Sequence, residues 1–295
     1  MNETKIATHN SHFHLDDVFA VAALSICLKQ PLEIIRTRDL LKIKDADYVV
    51  DVGGEYDEEK NRFDHHQKGG AGLRKNGIPY ASFGLVWKKY GHSICDSEEI
   101  VRIIEKKIVE PVDAEDNGVG IVSPMIDEIY PYSYWNVISS LNPTWKERDK
   151  NLDELFGKAV ALSREILLRE IERARHFVEG RTFVEQAYDS AEDKRLIILD
   201  AEYSWSDILI NKDEPIFVVG PNLEEKQWRV LAVRIDAHSF KNRKDLPKSW
   251  GGKHDEELAL ETGVSDATFC HNNLFIAAAR SKEGAIRLAK LAIEK

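Results

Sequence analysis

The sequence predicts an α/β fold: a mostly parallel sheet domain with helices on both faces, followed by a smaller C-terminal α+β domain. Three observations predict it. Short apolar runs alternate with helical patterns through the first half of the chain. Those runs are apolar throughout, the pattern of parallel strands buried on both sides. In the last third, strand-like runs are grouped together and a single helical pattern follows them.

Taken in order, KIATH (5–9) is a β-prone run that stops at polar residues. DDVFAVAALSICL (16–28) carries apolar residues on most faces, as a helix buried beside a sheet does. LEIIRT (32–37) and ADYVVDV (46–52) are the next strands, and SFGLVWKKYG (82–91) is a helix. SEEIVRIIEKKIVEPVD (97–113) reads as another helix, with Ser97 as N-cap and Glu98 and Glu99 in the first turn, where the helix dipole favours acids. The longest helical pattern, 151–180, closes at Gly180 and joins the two halves. RLIILDA (195–201), PIFVVGP (215–221), QWRVLAVRID (227–236) and ATFCHNNLFIAA (267–278) are strand-like, and KEGAIRLAKLAIE (282–294) is the closing helix. The predicted boundaries are a first domain at 1–148, a connecting helix at 149–180 and a second domain at 181–295.

Composition bounds the function. A chain of 295 residues, 43% hydrophobic and 31% charged, is that of a folded globular protein. A net charge of -10 argues against nonspecific binding of duplex DNA. No apolar run approaches the roughly 20 residues that span a bilayer, and the N-terminus lacks a signal pattern, so no membrane association is expected. Cys27, Cys95 and Cys270 lie without CxxC spacing, as reduced thiols of a cytoplasmic protein do.

The chemistry gathers early. Of the ten histidines, His9, His12, His14, His65 and His66 fall within the first 66 residues. His9, His14 and Asp16 lie where the first strand gives way to a helix, and ligands of open α/β sheets collect at the carboxyl ends of strands. Asp51 closes the strand YVVDV, followed by Gly53 and Gly54. RFDHHQ places Asp64, His65 and His66 one loop further on, and VEPVDAEDNG ends another element with Asp113 and Asp116. Four segments thus bring imidazole and carboxylate to one rim. Nitrogen and oxygen donors without thiolate favour Mn²⁺, with Mg²⁺ or another divalent metal as the alternative. The donors suffice for two ions bridged by Asp51, the arrangement used for phosphoryl chemistry.

Other residues read as structural. His12 takes a structural or outer-sphere place, and Asp17 reads as a helix N-terminal charge rather than a ligand. Asp64 suits the orientation of a histidine. His92, His176, His238 and His254 read as surface, and Trp87, Trp135 and Trp145 as core rather than base-stacking platforms.

THNSHFHLDD, RTRD, DVGGEYD, RFDHHQ and VDAEDNG occur in the order and spacing of the Myg (melanocyte proliferating gene) exonuclease family, relatives of the DHH phosphoesterases. WRVLAV, SFKNRKDLPKSWGG, DEEL and FCH extend the resemblance over nearly the whole chain. The resemblance implies a DHH-type sheet domain, a connecting helix and a C-terminal substrate domain. It implies a metal-dependent phosphodiesterase, a 3′-5′ exonuclease acting on single-stranded RNA or short oligonucleotides through a water activated by two metals. His9, His14 and Asp16 match its first metal motif, Asp51 its second and His65 the ligand of the Asp-His-His motif. His66 would face the scissile phosphate, and Asp113 or Asp116 would supply the last carboxylate. Arg243, Lys244, His271 and Arg280 would hold substrate phosphates. The chain departs from the family at Ser11 and His12, and at Ala277 and Ala278, where the family has glycines. No stable protein partner is inferred, and a homodimer is left open. The alternatives are a small-molecule phosphohydrolase (a pyrophosphatase or cyclic-dinucleotide phosphodiesterase) and a non-catalytic RNA-binding protein on the same scaffold.

Overall fold

The computed structural model describes residues 3–147, 149–237 and 239–295. His238 therefore lies outside the described residues. The chain divides into two compact units, Met1–Arg175 and His176–Lys295. Among the described residues no helix is long and apolar enough to cross a membrane.

In the first unit, β1 (Thr4–Thr8) leads into α1 (Leu15–Leu28), then β2 (Leu32–Arg36), α2 (Leu40–Asp45) and β3 (Tyr48–Val50). A short hairpin, β4 (Tyr56–Asp57) and β5 (Arg62–Phe63), completes a sheet of order β2-β1-β3-β5-β4. The pairings are parallel except β4 with β5. Side chains alternate along a strand. Ala7 and Val49 accordingly meet Ile43 and Ala46 on the α2 side, while their buried neighbours Ile6 and Val50 point to the opposite face. α1 packs against α3 (Ser82–Cys95), with Phe19 and Phe83 stacked at 5.0 Å between ring centroids.

The predicted helix at 97–113 is interrupted. α4 (Glu98–Ile104) passes through a π-turn at Glu105–Val109 before α5 (Glu110–Asp116). Ser97 occupies the N-cap position, but its side chain makes no capping bond. Arg74 sits across the π-turn, its Nε 3.2 Å from Glu105 and its Nη1 2.6 Å from Asp113. A tertiary clamp of this kind leaves no local signal in the sequence. α6 (Tyr134–Ser139) closes the first unit's irregular segment, and α7 (Leu152–Ser190) follows. α7 does not stop at Gly180 as predicted. That glycine is buried inside the helix, where an added Cβ would lie 3.3 Å from the Tyr203 ring, so it serves close packing and not a cap.

The second unit holds β6 (Leu196–Ile198), α8 (Ser206–Leu209), β7 (Phe217–Asn222), β8 (Gln227–Ala232), α9 (Asp255–Thr262), β9 (Ala267–Cys270), β10 (Ile276–Ala279) and α10 (Lys282–Glu294). The sheet order is β6-β7-β8-β10-β9, antiparallel apart from β6 with β7. Residues 267–278 are thus two strands and a tight turn, not one run: Leu274 takes a left-handed φ of 60° there, and its N–H donates to the His271 carbonyl. One sheet face packs α10 through Ala285, Leu288 and Ala292, and the other packs α8 and Val184 of α7.

Gly84 gives a test of how the first unit is fastened. A Cβ there would fall 1.8 Å from Asp113 Oδ2, so Gly84→Ala must displace the buried Asp113–Arg74 pair. A loss of about 3 kcal/mol in urea denaturation is expected, the scale for breaking a buried pair. A loss under about 0.5 kcal/mol, no more than an ordinary surface change, would show that Asp113 can move aside.

Candidate metal centre

The rim is built from loops that the fold pins individually. β1 ends at Thr8, and residues 9–14 form the loop that leads into α1. The Asn142 side-chain amide donates to the Phe13 carbonyl at 2.9 Å and accepts from the Phe13 N–H at 3.1 Å. Arg36, stacked over Phe156 and Phe13, donates to the Ser11 carbonyl. His9 and His14 are held by this loop with ring centroids 5.2 Å apart.

Asp51 follows β3 in the left-handed region, at φ 56°, a conformation most side chains avoid and one found preferentially at functional sites. It divides its two oxygens between two imidazoles: Oδ2 lies 3.4 Å from His9 Nε2, and Oδ1 lies 3.5 Å from His65 Nε2. His65 Nε2 is also 3.1 Å from Asp116 Oδ2. Asp16 accepts from the Ser82 and Phe83 N–H groups at 2.9 and 2.6 Å, and so caps the first turn of α3. Three groups of donors result, each with its atoms within 4.8 Å of one another: His9, His14 and Asp51; Asp51, His65 and His66; Asp16, His65 and Asp116. Asp51 links the first two groups, and His65 links the last two.

Electrostatics match a cation site. Burial works against the charged form of His9, yet the facing carboxylates of Asp17 and Asp51 raise it to about 9. Burial likewise opposes charge on His65, which Asp116 and Asp51 raise to about 11. Asp51 is held well below the ordinary carboxylate range by these same imidazoles, against the effect of burial. Asp16 is pushed up by burial and by the neighbouring carboxylates of Asp116 and Asp51. His9 Nε2 and His65 Nε2 are buried and lie near carboxylates, but make no aligned hydrogen bond. Unpartnered imidazole nitrogens facing carboxylates are the donor set a divalent cation takes, so these residues fit one.

His66 is placed differently. Its Nδ1 is 2.7 Å from Asp64 Oδ1, and its ring is 62% exposed. Asp64 is itself buried and accepts from the Gly54 N–H, so it orients this histidine, as the sequence suggests. A cavity of about 260 Å³ is lined by His9, His14, Arg38, Asp51, Asp64 and His66.

Some predicted site residues are not brought together. Asp113 belongs to none of the three donor groups: it pairs with Arg74 and accepts from the Gly84 N–H at 3.0 Å, and burial raises it to about 7 despite Arg74. Between Asp113 and Asp116, the residue beside the imidazoles is Asp116. In the second unit, Arg243 donates to the carbonyls of Arg234, Pro215 and Ile210, and Lys244 donates to that of Ile293. Both are occupied in fastening their own unit, because carbonyls left over at strand and helix ends need donors. His271 Nδ1 accepts from the Asn273 N–H. Arg280 pairs with Asp255 and lines a cavity of about 440 Å³ with Arg229, His254, Phe269 and Ala278. Ala277 is buried in the sheet core.

Other residues carry more than the sequence assigns them. Asp17 does accept from the His14 N–H as a first-turn charge, but its Oδ2 also stands 3.1 Å from His9 Nε2. Arg38, in RTRD, reaches the site because β2 ends beside β1, a position the strand-end rule reveals. Of the tryptophans read as core, Trp87 is buried, whereas Trp135 is 42% and Trp145 76% exposed.

The sequence model named for the MYG1 exonuclease, described as an uncharacterised protein family (UPF0160), matches residues 5–293. The chain is 30% identical to the MYG1 exonuclease of Homo sapiens, across 98% of its own length and 86% of the relative's. It is 32% identical to the MYG1 protein of Dictyostelium discoideum, across 98% and 96%, and 31% identical to that of Schizosaccharomyces pombe, across 99% and 98%.

Titrating metal-stripped protein with Mn²⁺ should raise its melting temperature, with about 2.7 kcal/mol of stabilisation at a hundredfold excess over Kd. Asp116→Ala should lower the number of ions bound, whereas Asp113→Asn should lower stability and leave that number unchanged. Equal loss of ions in both variants, read by elemental analysis, would return Asp113 to the site.

Proposed function

The chain belongs to the MYG1 exonuclease family, and from that membership and the donors at the first sheet's edge we propose a metal-dependent phosphodiesterase of DHH type. It removes nucleotides in the 3′-to-5′ direction from single-stranded RNA or short oligonucleotides. The observation that carries this reading is the division of Asp51 between two sets of donors. His9, His14 and Asp51 would hold one ion, and Asp16, Asp51, His65 and Asp116 a second. When bound, divalent cations, Mn²⁺ by donor type, would supply Lewis acidity for water and neutralise phosphate charge.

The chain's own groups do the rest. Asp51 is fixed by its left-handed backbone so that each oxygen serves a different side of the cluster. Asp64 takes the Nδ1 side of His66, which leaves the exposed Nε2 side of the ring to meet a phosphate oxygen and to donate or accept its proton. Arg38 is exposed in the same cavity and, among the described residues, has no ion-pair partner, so its fork is available to a phosphate. Arg280 and His271 remain the second unit's proposed phosphate contacts. The three free cysteines suit a reducing, cytoplasmic setting.

The deciding assay incubates protein and Mn²⁺ with end-labelled RNA and DNA oligomers, dinucleotides and pyrophosphate. Release of mononucleotides from the 3′ end of RNA is expected; hydrolysis of pyrophosphate alone would replace the reading with a small-molecule phosphohydrolase.

His65 and His66 should separate in function. His65→Ala should lower both ion content and turnover. His66→Ala should keep the ions and lower kcat by about 10²–10⁴, the range for a lost acid–base or electrostatic group. Full activity in His66→Ala would remove it from the chemistry. Asp51→Asn, which keeps a residue tolerant of the left-handed region, should fold and be nearly inactive.

A further inference from the structure

Three cavities of the first unit share two wall residues, Leu15 and Trp135. The smallest, about 210 Å³, is lined by His14, Leu15, Val112, Glu115, Asp116 and Trp135. Two of those residues, His14 and Asp116, belong to the donor groups described above. The largest, about 760 Å³, continues past Trp135 between Phe19, Tyr130, Tyr134 and Val112. Trp135 differs from Trp87 and Trp250, which are buried: it is 42% exposed, and among the described residues it stacks on no other aromatic ring. An apolar, flat and unpaired indole beside candidate metal ligands is an expensive surface to leave in water unless something flat covers it.

We propose that Trp135 is the stacking platform for the nucleobase of the nucleotide being removed. Leu15 and Val112 form the apolar floor, and the Glu115 carboxylate at the rim is an acceptor for base amino groups. The assignment rests on the phosphodiesterase reading for the class of substrate and adds to it a base-recognising residue. An indole accepts any base, because every base offers a π-face, so the device suits a nuclease without sequence preference. The phosphate of the same nucleotide would lie toward His14 and Asp116, on the side of the cavity those residues line.

Binding and turnover test this separately. Calorimetry on Mn²⁺-loaded protein compares AMP with ribose 5-phosphate, which has the phosphate and sugar but no base. AMP should bind tighter by about 5- to 150-fold, the range that base–aromatic stacking produces. The ratio should fall toward one in Trp135→Ala and largely return in Trp135→Phe. In turnover, the kcat/KM ratio of a dinucleotide over one abasic at the released position should follow the same pattern. Equal affinity for the two ligands in the unaltered protein overturns the proposal. So does a ratio unchanged by Trp135→Ala, whether both substrates weaken together, as a packing role would give, or sedimentation shows that a second copy of the chain covers the indole. Failure to hydrolyse any oligonucleotide would overturn the phosphodiesterase reading alone, because the calorimetric comparison decides base recognition without turnover.

Discussion

Asp16, Asp17, Asp51 and Asp113 are buried together in one corner of the first unit, and holding that much negative charge out of water organises what surrounds it. An unpaired buried carboxylate costs several kcal/mol, so each must find donors. The first turn of α3 supplies three: the N–H groups of Ser82 and Phe83 serve Asp16, and that of Gly84 serves Asp113. These are the N–H groups a helix start leaves without internal partners, and the dipole there favours anions. Ala81 at the N-cap has no side chain able to satisfy them. The carboxylates of α1 and α5 thus cap α3, and α3 in return makes their burial tolerable.

The remaining charge is met by groups from far along the chain. Arg74 spans the π-turn to reach Asp113, which frees Asp116, one turn of helix on, to face His65. A π-turn adds a residue to the helical ring and rotates everything after it by about 100° relative to an uninterrupted helix. Their spacing three apart on α5 puts the two acids in different directions, and a guanidinium 39 positions upstream of Asp113 pairs with Asp113 while Asp116 stands 3.1 Å from His65. Asn142 and Arg36 act similarly on the loop that carries His9 and His14.

That is also why some of this was legible in the sequence and some was not. The parallel sheet and the meeting of His9, His14, Asp51 and His65 follow from apolar runs and from the rule that strand ends share an edge, both local signals. Gly180 misleads because glycine serves helix ends and close packing alike, and only the Tyr203 ring distinguishes them. ATFCHNNLFIAA reads as one strand because its turn, Asn272 and Asn273, is followed at once by apolar residues. Arg243 and Lys244 look like a phosphate clamp in sequence, but unpartnered carbonyls of the fold reach them first. Trp135 carries no local mark at all: its exposure is a property of the cavities around it.

The charges are also layered, and the layering constrains what can enter. The carboxylates of Asp51 and Asp64 are buried, while the exposed side chains lining the same cavity are those of His14, Arg38 and His66. Asp64 favours the charged form of the last, raising His66 above its ordinary pKa. A cation thus meets an interior of carboxylate and imidazole, and an anion meets a cationic rim, within one opening. This separation matters for a chain of net charge -10, which on the whole repels polyanions at long range. Attraction of a phosphate must come from a few positive groups close to the point of contact, where screening and distance weaken the rest of the protein's field. Arg38 is exposed in this cavity, and His66 keeps its charge through the buried acids themselves, its Nδ1 lying 2.7 Å from Asp64 and 3.4 Å from Asp51.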